Sequence, residues 1–122
     1  MSKAFSIQAS LNYPPDVGQV VASRAVSQAG NFDSKVEYEY VFTVEGTQVV
    51  DLGSVAKATA IMVEVGADSS DPISLVFNDG AEPIEISPGG FVAISSPTPS
   101  VGITALSIVH GDDAKVNVYI LE

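Results

Sequence analysis

Cysteine and tryptophan are absent from the 122 residues, histidine occurs once, and only five residues are Lys or Arg. Without cysteine the fold uses neither disulfides nor thiolate metal sites, and the redox compartment is left open. Without tryptophan and a cysteine pair, an antibody-type core is excluded. A single histidine, His110, leaves no His–His metal pair, and any catalytic triad would have to use that residue. The five cations, Lys3, Arg24, Lys35, Lys57 and Lys115, are scattered and face fifteen Asp and Glu, for a net charge of −10. A phosphate backbone is bound by clustered Lys and Arg, so no nucleic-acid partner is expected. An anionic membrane surface repels such a chain for the same reason. Long apolar runs are missing too. No stretch approaches the ~18 residues of a membrane span, and MSKAFSIQASLNY lacks a signal-peptide core. The expectation is a chain made in the cytoplasm and not exported by the general route.

Charge is scarce overall. Only 16% of residues are charged while 46% are hydrophobic, with a mean hydropathy of +0.30, against about 25% charged in an average protein. Small uncharged residues fill the difference. A lone domain can have this composition, but a subunit that hides part of its outside in an assembly accounts for it better, because large apolar surfaces usually mark contacts. The length suits one domain with a single core.

What the chain does have is alternation. From Thr59 it runs TAIMVEV, ISLVFN, PIEI, GFVAIS, ITALSIVH and KVNVYILE. The runs are separated by 66–72, Asn78-Asp79-Gly80, Ser87-Pro88-Gly89-Gly90, 95–100 and Gly111-Asp112-Asp113. Period-2 patterning with turns every ~8–12 residues predicts an antiparallel sandwich or barrel. Upstream, Phe5, Ile7, Ala9, Leu11 and Tyr13 alternate with Ser6, Gln8, Ser10 and Asn12, which predicts a half-buried strand ended by Pro14-Pro15-Asp16. Residues 17–29 read as a strand or a small-residue helix, with β-branched valines and Gly18 favouring the strand. Residues 30–34 read as a turn. In 35–45, Val36, Tyr38, Tyr40, Phe42 and Val44 form one inward face, and Glu37, Glu39, Thr43 and Glu45 point away. Residues 54–60 are a small-residue connection or one helical turn. The total is about nine or ten strands. That fits a single-domain, all-β antiparallel sandwich over 1–122, jelly-roll-like first and immunoglobulin-like second, with 1–13 an N-terminal strand or arm.

Candidate chemistry is thin. His110 ends a strand before Gly-Asp-Asp and reads as a turn histidine, with Asp112 and Asp113 as hairpin residues. Asp68-Ser69-Ser70-Asp71 and Asn78-Asp79-Gly80 carry oxygen ligands but match no calcium-loop spacing, and they read as turns. Glu37, Glu39 and Glu45 invite a glycosidase reading, but no tryptophan platform accompanies them, and a solvated or subunit-facing acidic stripe is the plainer account. Ser87–Gly90, Gly46 and Gly53 sit in no phosphate-loop motif, and Ser54 and Ser107 lack a nucleophile elbow. No catalytic residue, metal ligand or cofactor is expected, and the chain is not expected to be an enzyme.

The segment 50–122 resembles small virion proteins of tailed bacteriophages. The likeness is carried by VDLGSVA (50–56), IMVEVGADSSDPISLVF (61–77), IEISPGGFVAIS (84–95) and ITALSIVHGDDAKVNVYILE (103–122). It covers about 60% of the chain as an order of apolar strands and turns, without an invariant functional residue. The resemblance implies a jelly-roll-like structural part, located in the virion. Its first form is a capsid decoration (cement) protein on the outer head surface, with itself and the major capsid protein or another virion protein as partners. A trimer is the first expectation for its homo-oligomer, since jelly-roll virion parts often sit on three-fold axes. A tail, adaptor or baseplate subunit and a carbohydrate- or peptide-binding sandwich are the alternatives. Because 1–13 has one apolar parity and precedes a double proline, Phe5, Ile7, Leu11 and Tyr13 are the expected partner-binding residues, by strand addition to a neighbour.

Overall fold

The computed structural model describes residues 3–13, 22–95 and 101–122, with side chains at 12, 13, 22–24 and 101 outside that description. Every regular element within them is a β-strand. They are β1 (Lys3–Tyr13), β2 (Ala22–Phe32), β3 (Lys35–Phe42), β4 (Gly46–Val49), β5 (Lys57–Ala58), β6 (Ala60–Val65), β7 (Ile73–Phe77), β8 (Ile84–Ile86), β9 (Phe91–Ser95), β10 (Val101–Gly102), β11 (Leu106–His110) and β12 (Ala114–Leu121). Two of the twelve, β5 and β10, are only two residues long, so the longer strands number ten, as the alternation predicts.

Two four-stranded sheets form the body, in the orders β3-β12-β6-β9 and β4-β11-β7-β8, and every pairing is antiparallel. The expectation of an all-β antiparallel sandwich is met. The pairings nest: β3 with β12, β4 with β11, β6 with β9 and β7 with β8. Each strand sends alternate residues inward. Ala114, Val116, Val118 and Ile120 of β12 meet Ile61, Val63 and Val65 of β6 and face Leu106, Ile108, Ile73 and Leu75 of the other sheet, all buried in one core. Excluding water from each of these Val, Leu and Ile side chains contributes about 1.5–3 kcal/mol.

The register of β3 is as predicted: Val36 is buried, Tyr38, Tyr40 and Phe42 pack on the core, and Glu37 and Glu39 face outward. Val44 departs from the expectation. β3 ends at Phe42 and Val44 is 73% exposed in the connection to β4, because alternation fixes a facing only while the ladder lasts. Residues 54–60 contain no helical turn, only the β5 bridge and the start of β6. Their approach is a turn closed by Val55 N–H donating to the Leu52 carbonyl at 3.0 Å.

The turns follow their sequence chemistry. Asn78 and Asp79 take positive φ, +54° and +53°, the pair of conformations that a type I′ turn needs. At 87–90, Pro88 precedes Gly89, whose φ of +84° favours glycine, and Gly90 N–H closes the turn on the Ser87 carbonyl at 2.9 Å.

The N-terminal segment takes no place in either sandwich sheet. β1 pairs with β2 alone, over eleven residue pairs from Lys3↔Phe32 to Tyr13↔Ala22. The arm is thus a ribbon of two strands. The strand reading of 17–29 holds from Ala22 onward, whereas 17–21 and the prolines at 14–15 lie outside the described residues. The turn expected over 30–34 is shorter than the sequence suggests, since β2 continues through Phe32 and only Asp33 and Ser34 turn. There the Glu122 main-chain oxygen accepts both amides at 2.6 and 3.0 Å, and Glu122 N–H donates to the Ser34 carbonyl at 2.8 Å.

Candidate interaction surface

Eleven residues at ~3.3 Å each make the β1–β2 ribbon about 35 Å long. Residues opposite one another in an antiparallel pair share a face, so the register assigns each face its composition. One carries Phe5, Ile7, Ala9 and Leu11 from β1 opposite Gly30, Gln28, Val26 and Arg24 of β2, with Lys3 opposite Phe32 at the base. The other carries Ala4, Ser6, Gln8 and Ser10 with Asn31, Ala29, Ser27 and Ala25. It has no charge and no large side chain.

Near its base the apolar face is partly covered. Phe5 and Phe32 lie with ring centroids 6.4 Å apart. The Phe5 ring crosses Gly30 so closely that a Cβ there would meet its Cε1 at 2.9 Å, so glycine makes the crossing possible. Farther out, Ile7, Ala9, Val26, Ser27 and Gln28 form one wall of a cleft whose other wall is Ala93 and Ser95 of β9. Two polar atoms buried there, Gln28 Nε2 and Ser95 Oγ, have no hydrogen-bond partner. Such groups cost about 1–3 kcal/mol each, so this seam is weakly fastened. The face opens at the rim of the cleft, where Val26 is 68% exposed, and is bare beyond it, where Leu11 is 63% exposed.

Of the residues expected to bind a partner, Phe5 and Ile7 are half-buried at the base, Leu11 is exposed, and the Tyr13 side chain lies outside the described residues. The strand expected to be half-buried is therefore covered only at one end, because nothing stacks on its distal half. Sequence reading missed Val26 and Phe32, which share this face only through the β1–β2 register. The same-parity run Arg24, Val26, Gln28, Gly30 and Phe32 was the available signal.

The other candidates are structural. His110, 9% exposed, stacks on Phe42 with centroids 3.5 Å apart, and its Nδ1–H donates to the Gly111 carbonyl at 2.9 Å. Asp71 Oδ2 accepts the Asp113 amide at 3.0 Å and Ser69 Oγ accepts the Lys115 amide at 2.9 Å, while Asp68 pairs with the Lys115 ammonium. That ammonium holds the Asp68 carboxyl below its ordinary range, by hydrogen bond first and charge second. These oxygens pin the 66–72 loop to the β11–β12 hairpin.

Asn78 ties its turn to another loop. Its Oδ1 accepts from Thr104 N–H (2.6 Å), Thr104 Oγ1 (3.1 Å) and Ala105 N–H (3.2 Å), and its Nδ2 donates to the Gly102 carbonyl at 3.1 Å. Glu37 and Glu39 stand on the outer face of their sheet beside Tyr119 and Asn117, and Asn117 Nδ2 donates to Glu64 at 3.2 Å. Desolvation, then the charges of Glu64, Glu37 and Glu39, raises the Tyr119 phenol above its ordinary value. Among the described residues no three His, Asp or Glu side chains are grouped to hold a metal ion.

Compared with protein-family models, curated proteins and solved structures, the chain has no match.

Proposed function

We propose that this chain is a non-enzymatic structural protein of a tailed-bacteriophage virion, a capsid decoration protein that binds the outer head surface as an oligomer, a trimer first. The observation that carries the reading is the ribbon: about 35 Å of two-edged β-structure, with Lys3 and Arg24 its only charged residues, paired with neither sheet of a sandwich whose own core is complete. An isolated two-stranded ribbon is marginal in water, and its open edges are templates for another chain. Such an element suits a protein whose work is to be packed against. The nested strand pairing supports the jelly-roll form of the sandwich, and the likeness to virion parts is that of the sequence segment 50–122. The acidic body keeps a rather apolar particle dispersed.

The test uses heads of the encoding phage assembled without this gene. Purified chain should add to them at a fixed, symmetry-related number of copies, seen by co-sedimentation and by extra density on the capsid. Addition to tails and not heads would move the protein to the tail, adaptor or baseplate. Its absence from both particles and infected-cell assemblies would refute a virion role.

A further inference from the structure

The ribbon is open on both edges and exposed at Leu11 and Val26.

Charge indicates what covers that ribbon. Residues 3–32 hold Lys3, Arg24 and Asp16, a net +1, which leaves −11 of the chain's −10 total on residues 33–122. Two bodies repel one another, whereas a ribbon and a body attract. The body also offers an apolar seat. β9 points Phe91, Ala93 and Ser95 outward in one row. The Ala93–Ser95 end of that row already faces the chain's own ribbon across the cleft, while Phe91 at the other end is 64% exposed. The row therefore accepts a ribbon along part of its length and is bare along the rest. The ribbon's apolar face, in turn, runs past the cleft to bare Leu11.

We propose that the distal ribbon, at Leu11 and Val26, docks on the Phe91 row of β9 in a second copy of this chain. The proposal rests on the assembly reading given above and names the surfaces that meet. Each chain then gives one ribbon and receives one, an arrangement that makes a ring where the rotation between copies closes and a filament where it does not.

The absence of cysteine makes the test clean. Leu11→Cys and Phe91→Cys chains are mixed and mildly oxidised, with Val44→Cys, a site 73% exposed away from both surfaces, replacing either one as the collision control. The expected result is a mixed Leu11–Phe91 disulfide between chains, formed several-fold faster than any pair involving position 44. Wild-type chain should sediment as an oligomer, and Leu11→Asp with Val26→Asp should reduce it to 12.6 kDa with an unchanged far-ultraviolet spectrum. A wild-type monomer at tens of micromolar, or cross-linking no faster than the control, overturns the docking. If cross-linking holds but heads bind nothing, only the virion reading fails. If a monomer decorates heads, only this docking fails.

Discussion

Replacing Asn78 separates a side-chain effect from a backbone effect at one position. Asn78 has a φ of +54° and bonds to Gly102, Thr104 and Ala105, holding that loop over the end of the sheet. A net hydrogen bond contributes about 0.5–1.5 kcal/mol. Three of these bonds share one oxygen at an exposed site, so losing all of them should cost about 1–2 kcal/mol. Alanine adds the strain of a left-handed residue, about 1 kcal/mol, which glycine avoids. Asn78→Asp keeps the acceptor and loses only the donor to Gly102, about 0.5–1 kcal/mol. The expected order of destabilisation is Asp, then Gly at about 1–2 and Ala at about 2–3 kcal/mol. At ~4 °C per kcal/mol for a chain of this size, alanine should lower the melting temperature by about 8–12 °C. Urea unfolding followed by circular dichroism reads the free energies, provided the slopes agree between variants. Hydrogen exchange at the Thr104 and Ala105 amides reads the site itself: protection should fall with Gly and Ala and persist with Asp. If Ala matches wild type, or if Gly is worse than Ala, the account of this turn is wrong.

Phe42→Ala should cost about 2–3 kcal/mol in urea unfolding, below the 3–5 of a fully buried phenylalanine, because its ring is only partly covered between Tyr40 and His110; a full-sized loss would place it deeper than described. Deleting residues 1–32 removes no strand of either four-stranded sheet, so the remaining chain should still unfold in one cooperative transition; loss of that transition in calorimetry would make the ribbon part of the core. Amides of Lys57 and Ala56 hold the Glu122 side-chain carboxyl below its ordinary range. The stability it contributes is therefore present above the unfolded carboxylate pKa and lost as pH falls through the lower folded value. Glu122→Gln should be less stable than wild type near pH 6, with the gap in urea midpoint narrowing as pH falls below the ordinary carboxylate range; a gap constant with pH would exclude the carboxylate as its cause.

Parity and punctuation were legible in the residues because both are local. Side chains of a strand alternate whatever the strand pairs with, so Val116, Val118 and Ile120 declare an inward face, and so do Tyr38, Tyr40 and Phe42. Asn78-Asp79 and Pro88-Gly89 declare turns because few residues tolerate positive φ. Val44 shows where that reasoning ends, since parity has no meaning once the ladder stops. Which strand pairs with which is a long-range matter with no local signature. The nesting of β3 with β12 and β4 with β11 came only from the tertiary structure, as did the loop held by Asn78. The ribbon is the clearest case. Phe5, Ile7, Ala9 and Leu11 have the pattern of any half-buried strand, and the sequence determined that they share a face. Whether that face is covered depends on what stacks upon it. The fold supplies β9 at the base and nothing at Leu11, so the same alternation ends as packing at one end and as open surface at the other.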